Sequence, residues 1–471
     1  MRRFAAAGHA GGHAIHRYKQ QERSGLLVSA DRMVSRRASA AAKRTLGARI
    51  LCVLSELCAK IVADRARSLL LSRRLALPEH GSIRQCEGGS DLTERTRRGY
   101  VGTMTAGGLE GVVAATTHLS HVDGERGELV IGGYHLEQLA EYATFEETTW
   151  LLWHGELPSV GQLETFRREL AGLRTIPDST LSLLRECAQR HIDDMDALRM
   201  AAGTLSLAGD DAPGIVARVP TIVATYWRLR RGKEPLLPRG ELDHAANFLF
   251  MLSGEVPDPE VVRGLETYLN TVVDHGLNAS TFTARVITST GSDLVSAVTG
   301  ALGALKGPLH GGAPGPALEM VFEIGDASRA ESVLRKKIEA GEKLMGFGHR
   351  IYKVRDPRAD VLARAAERLF TRRGDMSLYT LARTVEAEAL RLLEEYKPGR
   401  RLQTNVEFYT ALLLHGLGFD VELFTPTFAI SRVSGWIAHA FEQRRANRII
   451  RPQSEYVGPR DRRWVPVGER A

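Results

Sequence analysis

Two histidines sit in glycine-rich turns: His310 in Gly307-Pro308-Leu309-His310-Gly311-Gly312-Ala313-Pro314-Gly315, and His349 in Gly346-Phe347-Gly348-His349-Arg350. Fewer than forty residues separate them. Four glycines and two prolines in nine residues do not build core. Such a turn lets backbone and imidazole approach a ligand closely and exposes N–H groups that can bind an oxygen. A third histidine lies in Asp274-His275-Gly276-Leu277-Asn278-Ala279-Ser280-Thr281, where a helix cap explains it equally well. Asn405-Val406-Glu407-Phe408-Tyr409 puts a carboxylate at the start of a helix. The macrodipole favours any acid there, and the same field keeps one ionised and ready to accept a proton. Two histidines and a carboxylate suit chemistry that removes one proton and delivers another.

Arginines supply the complementary charge. Arg432 lies in an otherwise apolar helix, on one face with Trp436 and His439 at i+4 and i+7. A buried Arg requires an anionic partner. Arg451, in Arg448-Ile449-Ile450-Arg451-Pro452, says less by itself.

The elements that must position these groups are mostly helices. Val112–Ala115 and Gly127–Ile131 flank the polar turn Asp123-Gly124-Glu125-Arg126-Gly127 and predict one small β-hairpin. Asp356-Pro357 supplies an N-cap and an N1 proline, followed by Val361, Leu362, Ala365 and Leu369 at helical spacing. Ser377 opens a helix to about Tyr396, closed by Pro398-Gly399, and Thr425-Pro426 opens another to about Arg445. Strands do not alternate with helices, so a dinucleotide-binding α/β fold is not expected. Both histidine turns and Glu407 fall at helix ends, where side chains can converge on one cleft.

Charge and cysteine divide the 471-residue chain. Residues 1–103 carry 20 Lys+Arg against 8 Asp+Glu, and the rest carries 43 against 48. The whole basic excess therefore lies in the first fifth, and the body gives no electrostatic reason to expect nucleic acid. Cys52, Cys58 and Cys86 lie in that stretch, leaving the body with Cys187 alone. One cysteine makes neither a disulfide framework nor a Cys-based zinc site, and a reducing, cytoplasmic compartment is expected. No run of eighteen apolar residues occurs, so no membrane span is predicted. Residues 1–103, with a short helix around 50–75, read as an extension that is disordered or lies upstream of a start at Met104. A functional basic tail and a targeting segment are the alternatives.

Together these segments resemble the citrate synthase family, from about Leu109 to Gly458. The block from Leu109-Glu110-Gly111 to Gly155-Glu156-Leu157-Pro158 is similar to its shorter bacterial forms. The resemblance implies an all-α, two-domain fold. Residues 104–311 and 418–471 would form a large helical domain, and 312–417 a small one that closes over the substrates. It implies a homodimeric acyltransferase that condenses acetyl-CoA, as co-substrate, with oxaloacetate, with no metal and no tightly bound cofactor. Glu407 would be the base toward the acetyl methyl, His310 the donor to the thioester oxygen, and His349 the donor to the oxaloacetate carbonyl. His275, Asn278, Arg358, Arg432 and Arg451 would hold the dicarboxylate, the last across a dimer interface. Lys306, Gly346, Gly348, Arg350 and Lys353 would lie toward CoA. Bidentate guanidinium–carboxylate pairs fit such a substrate.

Three positions depart from the family pattern. Glu407 stands where Asp is usual, and the extra methylene shifts the carboxylate by roughly an ångström, a displacement that can cost about 10²-fold in rate. Ala313-Pro314-Gly315-Pro316 replaces a frequent Asn or Asn-Glu, and Gly276 replaces a frequent Glu. Similar variants occur among paralogs, so 2-methylcitrate synthase acting on propionyl-CoA and a catalytically weak binding paralog are the alternatives.

Overall fold

The structure is a computed structural model that describes residues 107–109, 111–209, 211–311 and 314–470. The readings made for residues 1–103 lie outside the described residues, as do Gly312 and Ala313 of the first histidine turn.

Asp123 shapes the only sheet among the described residues. Its Oδ1 accepts the N–H groups of Glu125 and Arg126, and Gly127 takes the positive φ of 70° that closes the turn. This register pairs Asp123 with Glu128 and Ser120 with Ile131. The strands are therefore β1 (Ser120–Asp123), β2 (Glu128–Ile131) and a short β3 (Tyr134–His135), all antiparallel. The expected first strand at Val112–Ala115 is corrected: Val112 and Val113 are exposed and unpaired with the sheet. The turn dictates which residues pair, and apolar character upstream of it does not. Leu129 and Ile131 anchor the hairpin in the core.

Sixteen α-helices follow among the described residues. They are α1 (Leu136–Tyr142), α2 (Phe145–His154), α3 (Val160–Gly172), α4 (Asp178–Gln189), α5 (Asp194–Gly203), α6 (Ala212–Arg230), α7 (His244–Ser253) and α8 (Pro259–Val272). Then come α9 (Ala279–Ser289), α10 (Leu294–Leu305), α11 (Pro314–Ile324), α12 (Ala330–Glu339), α13 (Pro357–Arg373), α14 (Ser377–Tyr396), α15 (Val406–Gly416) and α16 (Phe424–Arg445). Short polar side chains start many of them. Asp193, Asp211, Asp258, Asn278, Asp293, Asp356 and Asn405 each accept a backbone N–H of the first turn. The fold is all-α with a minor hairpin, and α13, α14 and α16 run almost as their sequence signals predict.

The centre of the core is α16, buried without interruption from Ala429 to Ala440. Helices α2, α6, α8, α9 and α10 pack around it. A helix surrounded on all sides has no polar face to show, and its polar residues must find partners inside. Gly435 marks the tightest approach, because a Cβ there would lie 2.2 Å from the Val273 carbonyl oxygen at the end of α8. Among the described residues, no helix is long and apolar enough to cross a membrane.

Candidate active site

The segment after α12 carries His349, and local hydrogen bonds fix its ring. Nδ1 accepts the N–H groups of Ile351 (3.1 Å) and Tyr352 (3.0 Å), which leaves the proton of the neutral ring on Nε2. Burial, then the nearby Arg358 charge, lowers the His349 pKa to about 4, so the ring is neutral at pH 7. Nε2 lies 3.4 Å from Nη2 of Arg358. With this tautomer both atoms are donors, so they do not bond to each other. They mark one place for an acceptor oxygen.

Arg358 is buried and gripped by Asp356, whose Oδ1 accepts from Nε (3.0 Å) and Oδ2 from Nη2 (2.7 Å). Burial works against the guanidinium charge, but Asp356 outweighs it and raises the pKa. His275, buried at the end of α8, approaches the Tyr352 hydroxyl at 3.2 Å and packs edge-on against His349 at 5.9 Å. Burial, with Arg358 and Arg432, drives the His275 pKa well below its usual value.

Glu407 enters from the first turn of α15. An isolated antiparallel bridge joins Phe347 to Thr404; Asn405 N–H donates to the Gly346 carbonyl and Gly348 N–H to the Gln403 carbonyl. The segments before Glu407 and before His349 are therefore one unit. Gly346 makes this possible, with a φ of 89° and no room for a Cβ, which would lie 2.9 Å from Cβ of Phe408. Burial raises the Glu407 pKa to about 7, Arg358 and Arg432 pull it down, and Asp356 pushes it up.

Arg432 is fully buried, yet its contact differs from the anionic partner expected from sequence. Nε donates to the Val272 carbonyl at 2.7 Å, and the guanidinium lies over the Phe428 ring at 4.8 Å. Burial lowers its pKa to about 10, with Asp274 and Glu407 opposing from a distance. It remains a cation at pH 7, its charge met by neighbouring carboxylates rather than by an ion pair.

His310 follows α10, and its Nε2 lies 2.8 Å from Oγ of Ser280, which also receives Nε1–H of Trp436 at 3.1 Å. Burial, then Arg432, lowers its pKa to about 4. For Nδ1 to act as a donor, Ser280 must turn its hydroxyl proton to Nε2. Asn278 caps α9 beside this serine, accepting from Thr281 N–H, and its Oδ1 lies 2.8 Å from Ser280 Oγ, so Asn278 and His310 Nε2 compete for the one serine hydroxyl proton.

The hairpin braces both halves. Ser120 Oγ donates to Asp274 and accepts Gly276 N–H (2.9 Å), while Gly124 O accepts Lys353 N–H (2.9 Å). Asp274 also accepts His439 Nε2–H at 3.1 Å, and His439 Nδ1 accepts from Arg285 at 3.0 Å.

Other sequence candidates lie outside this network. Arg451 is exposed, and no hydrogen bond among the described residues ties it to the site. Lys306 is exposed and pairs with Asp196. Arg350 and Lys353 are exposed on the His349 segment, with Lys353 Nζ 3.4 Å from the Arg350 carbonyl. Sequence reasoning read Asp356 as a cap only and gave no role to Ser280 or Tyr352. Both had a signal: each lies three residues or fewer from a candidate group, on a helix start or turn that also carries it.

Comparison with known proteins fits this geometry. The family model for the citrate synthase C-terminal domain matches residues 108–453. Citrate synthase 2 of Bacillus subtilis is 42% identical over 376 residues, 77% of this chain and 99% of that protein. A 2-methylcitrate synthase of Mycobacterium tuberculosis is 41% identical over 365 residues, 75% of this chain and 91% of that protein. The structure of citrate synthase from Thermoplasma acidophilum in ternary complex with carboxymethyl coenzyme A and oxaloacetate aligns with a TM-score of 0.71 at 32% identity, covering 77% of this chain and 99% of that one. A helical body with this constellation at its helix ends, matched over nearly the whole length of its relatives, belongs to the citrate synthase family.

Proposed function

We propose that this protein condenses acetyl-CoA with oxaloacetate to give citrate and CoA. The observation that carries the reading is the pair of converging donors, His349 Nε2–H and Arg358 Nη2–H, on a segment bridged to the one that presents Glu407. Oxaloacetate offers a keto oxygen and two carboxylates to such donors, with Arg432 and His275 beside them. Glu407 removes a methyl proton from acetyl-CoA while a neutral His310 donates to the thioester oxygen, where charge develops. The enolate carbon attacks the keto carbon, and His349 supplies a proton to the oxygen that becomes hydroxyl. Water then cleaves the citryl thioester, releasing CoA. A carboxylate with a pKa near 7 suits proton abstraction, because its ionised form is populated at neutral pH and still basic.

The domain division at 311/312 and 417/418, with closure of the smaller part, belongs to the same reading. So does a homodimer in which Arg451 reaches the partner's site, and so do Lys306, Gly346, Gly348, Arg350 and Lys353 toward CoA. The similarity to a 2-methylcitrate synthase supports a second reading, with propionyl-CoA as the acyl donor. One methyl group is worth about 1–3 kcal/mol of discrimination in an apolar pocket, so preference and not exclusion is expected. CoA release measured with oxaloacetate and either acyl-CoA decides. Faster turnover of acetyl-CoA supports the first reading, the reverse order supports the second, and no release with either sinks both.

A further inference from the structure

Asp274 and Gly276 bracket His275, and one hydroxyl holds both. The Asp274 carboxylate accepts His439 Nε2–H at Oδ1 (3.1 Å) and Ser120 Oγ–H at Oδ2. Burial opposes the Asp274 charge, but His439, Arg432 and Ser120 together hold its pKa below the usual value. An ionised carboxylate only accepts, so the serine proton is committed to it and a lone pair of Oγ is left for Gly276 N–H at 2.9 Å. Gly276 takes the positive φ of 60° that turns the chain there. The residues on both sides of His275 are thus fastened to the first residue of β1. The turn of the same hairpin grips the His349 segment. The Gly124 carbonyl accepts Lys353 N–H at 2.9 Å, and a Cβ at Gly124 would lie 2.3 Å from the Ile351 carbonyl oxygen. A Cβ at Gly127 would lie 2.8 Å from Cγ2 of Val354. Ile351 and Tyr352 are the residues whose N–H groups orient the His349 ring.

We propose that Ser120 and Gly124 are positioning residues, and that the hairpin is a post that sets the spacing of the His275 and His349 rings for oxaloacetate. The role rests on the reading of both histidines as oxaloacetate ligands. Ser120 acts through Gly276 and Gly124 acts through Lys353. Both histidines stand on irregular segments, whose conformation helix packing alone does not fix. The post is stiff, because all four residues of β1 pair with β2, and Leu129 and Ile131 of β2 are sunk in the core. A strand rises about 3.4 Å per residue, so its two grips stand roughly 13 Å apart. The Tyr352 hydroxyl, 3.2 Å from His275 Nε2, also joins the two turns. A substrate oxygen that takes this nitrogen displaces the tyrosine, and the hairpin is then a link that remains.

Oxaloacetate binding to the full chain, measured by calorimetry, tests the post, with thermal melting as the check on folding. Ser120→Ala and Gly124→Ala should each weaken binding about tenfold, the scale of one lost hydrogen bond. Ser120→Thr, which keeps the hydroxyl, should restore it, and the acyl-CoA KM should not move. Unchanged oxaloacetate affinity in folded Ser120→Ala overturns the proposal. Because the spacing needs both grips, the double variant should bind about as well as the weaker single one, whereas losses that multiply overturn the proposal. Should Gly124→Ala not fold, crystals of Ser120→Ala decide: the ring centroids, 5.9 Å apart in the native chain, must separate differently, and an unchanged spacing overturns the proposal. Should Ser120→Ala not fold, Ser120→Cys, a weaker acceptor of similar size, replaces it in each measurement. If wild type binds no oxaloacetate, the functional reading fails, while the ring spacing in those crystals still decides the role of the hairpin.

Discussion

Asn405 and Gly348 are joined by a single hydrogen bond, Nδ2 of the asparagine to the glycine carbonyl at 2.9 Å. The same asparagine caps α15, its Oδ1 accepting Glu407 N–H at 3.0 Å. One side chain therefore fixes the backbone of Glu407 itself and of the residue before His349. Asn405→Asp keeps the cap and loses the strap. Melting should change little, whereas kcat should fall about 10²-fold if the two groups drift by an ångström. Equal activity with equal stability would show that the Phe347–Thr404 bridge is sufficient alone.

Glu407→Gln should lower kcat about 10²–10⁴-fold, as loss of a positioned base does. Proton exchange at the acetyl-CoA methyl should disappear, with oxaloacetate binding nearly intact. Unchanged turnover would reduce Glu407 to a helix-start acid and leave the binding paralog as the better account. Glu407→Asp is informative in both directions. A gain means that the longer acid is a handicap, and a loss means that the surrounding backbone is built for glutamate.

The pH dependence of the rate follows from burial of the base. With the Glu407 pKa raised to about 7, kcat/KM should fall below neutral pH along a limb centred near that value. His310 and His349, lowered to about 4, should add no limb between pH 5 and 8.

Stability carries the same sign. A carboxyl whose folded pKa exceeds its unfolded value holds its proton more tightly when folded, so its contribution weakens as pH rises from the ordinary carboxylate range through about 7. Glu407→Gln should therefore gain more in melting temperature over wild type at pH 8 than at pH 5. An equal difference at both pH values would place Glu407 in a solvated setting.

Glu386 is the strut behind the bridge. Its buried carboxylate accepts from Arg355, Thr404, Arg383 and Tyr409, which gathers the His349 segment, the Glu407 segment and α14. Burial opposes its charge, but Tyr409, Thr404 and Arg355 hold its pKa below the usual value. Glu386→Ala leaves the Thr404 and Tyr409 hydroxyls without their acceptor, while the half-buried Arg355 keeps Asp360, and should cost about 1–3 kcal/mol in denaturant unfolding. A cost near zero would mean that these donors find other acceptors.

The helix starts and both histidine turns were legible because capping and turn chemistry are local. Asp356-Pro357, Asn405 and the glycines at 346 and 348 carry their conformations wherever they stand. The family followed from the order of these segments. The hairpin's first strand was misplaced because apolar Val112 and Val113 outweighed the register that Asp123 imposes.

What local wording could not settle was the state of each group. In sequence Glu407 is equally a helix-start acid, His275 equally a cap, and Arg432 a charge in want of an anion. Tertiary structure places Glu407 within the field of Arg358 and Arg432 at a depth that raises its pKa, and gives Arg432 the Val272 carbonyl instead of a carboxylate. It also fixes the His349 tautomer through two backbone amides and sets Arg358 beside Nε2. Protonation and donor direction depend on desolvation and on charges brought from α8, α13 and α16, distances that no run of adjacent residues encodes.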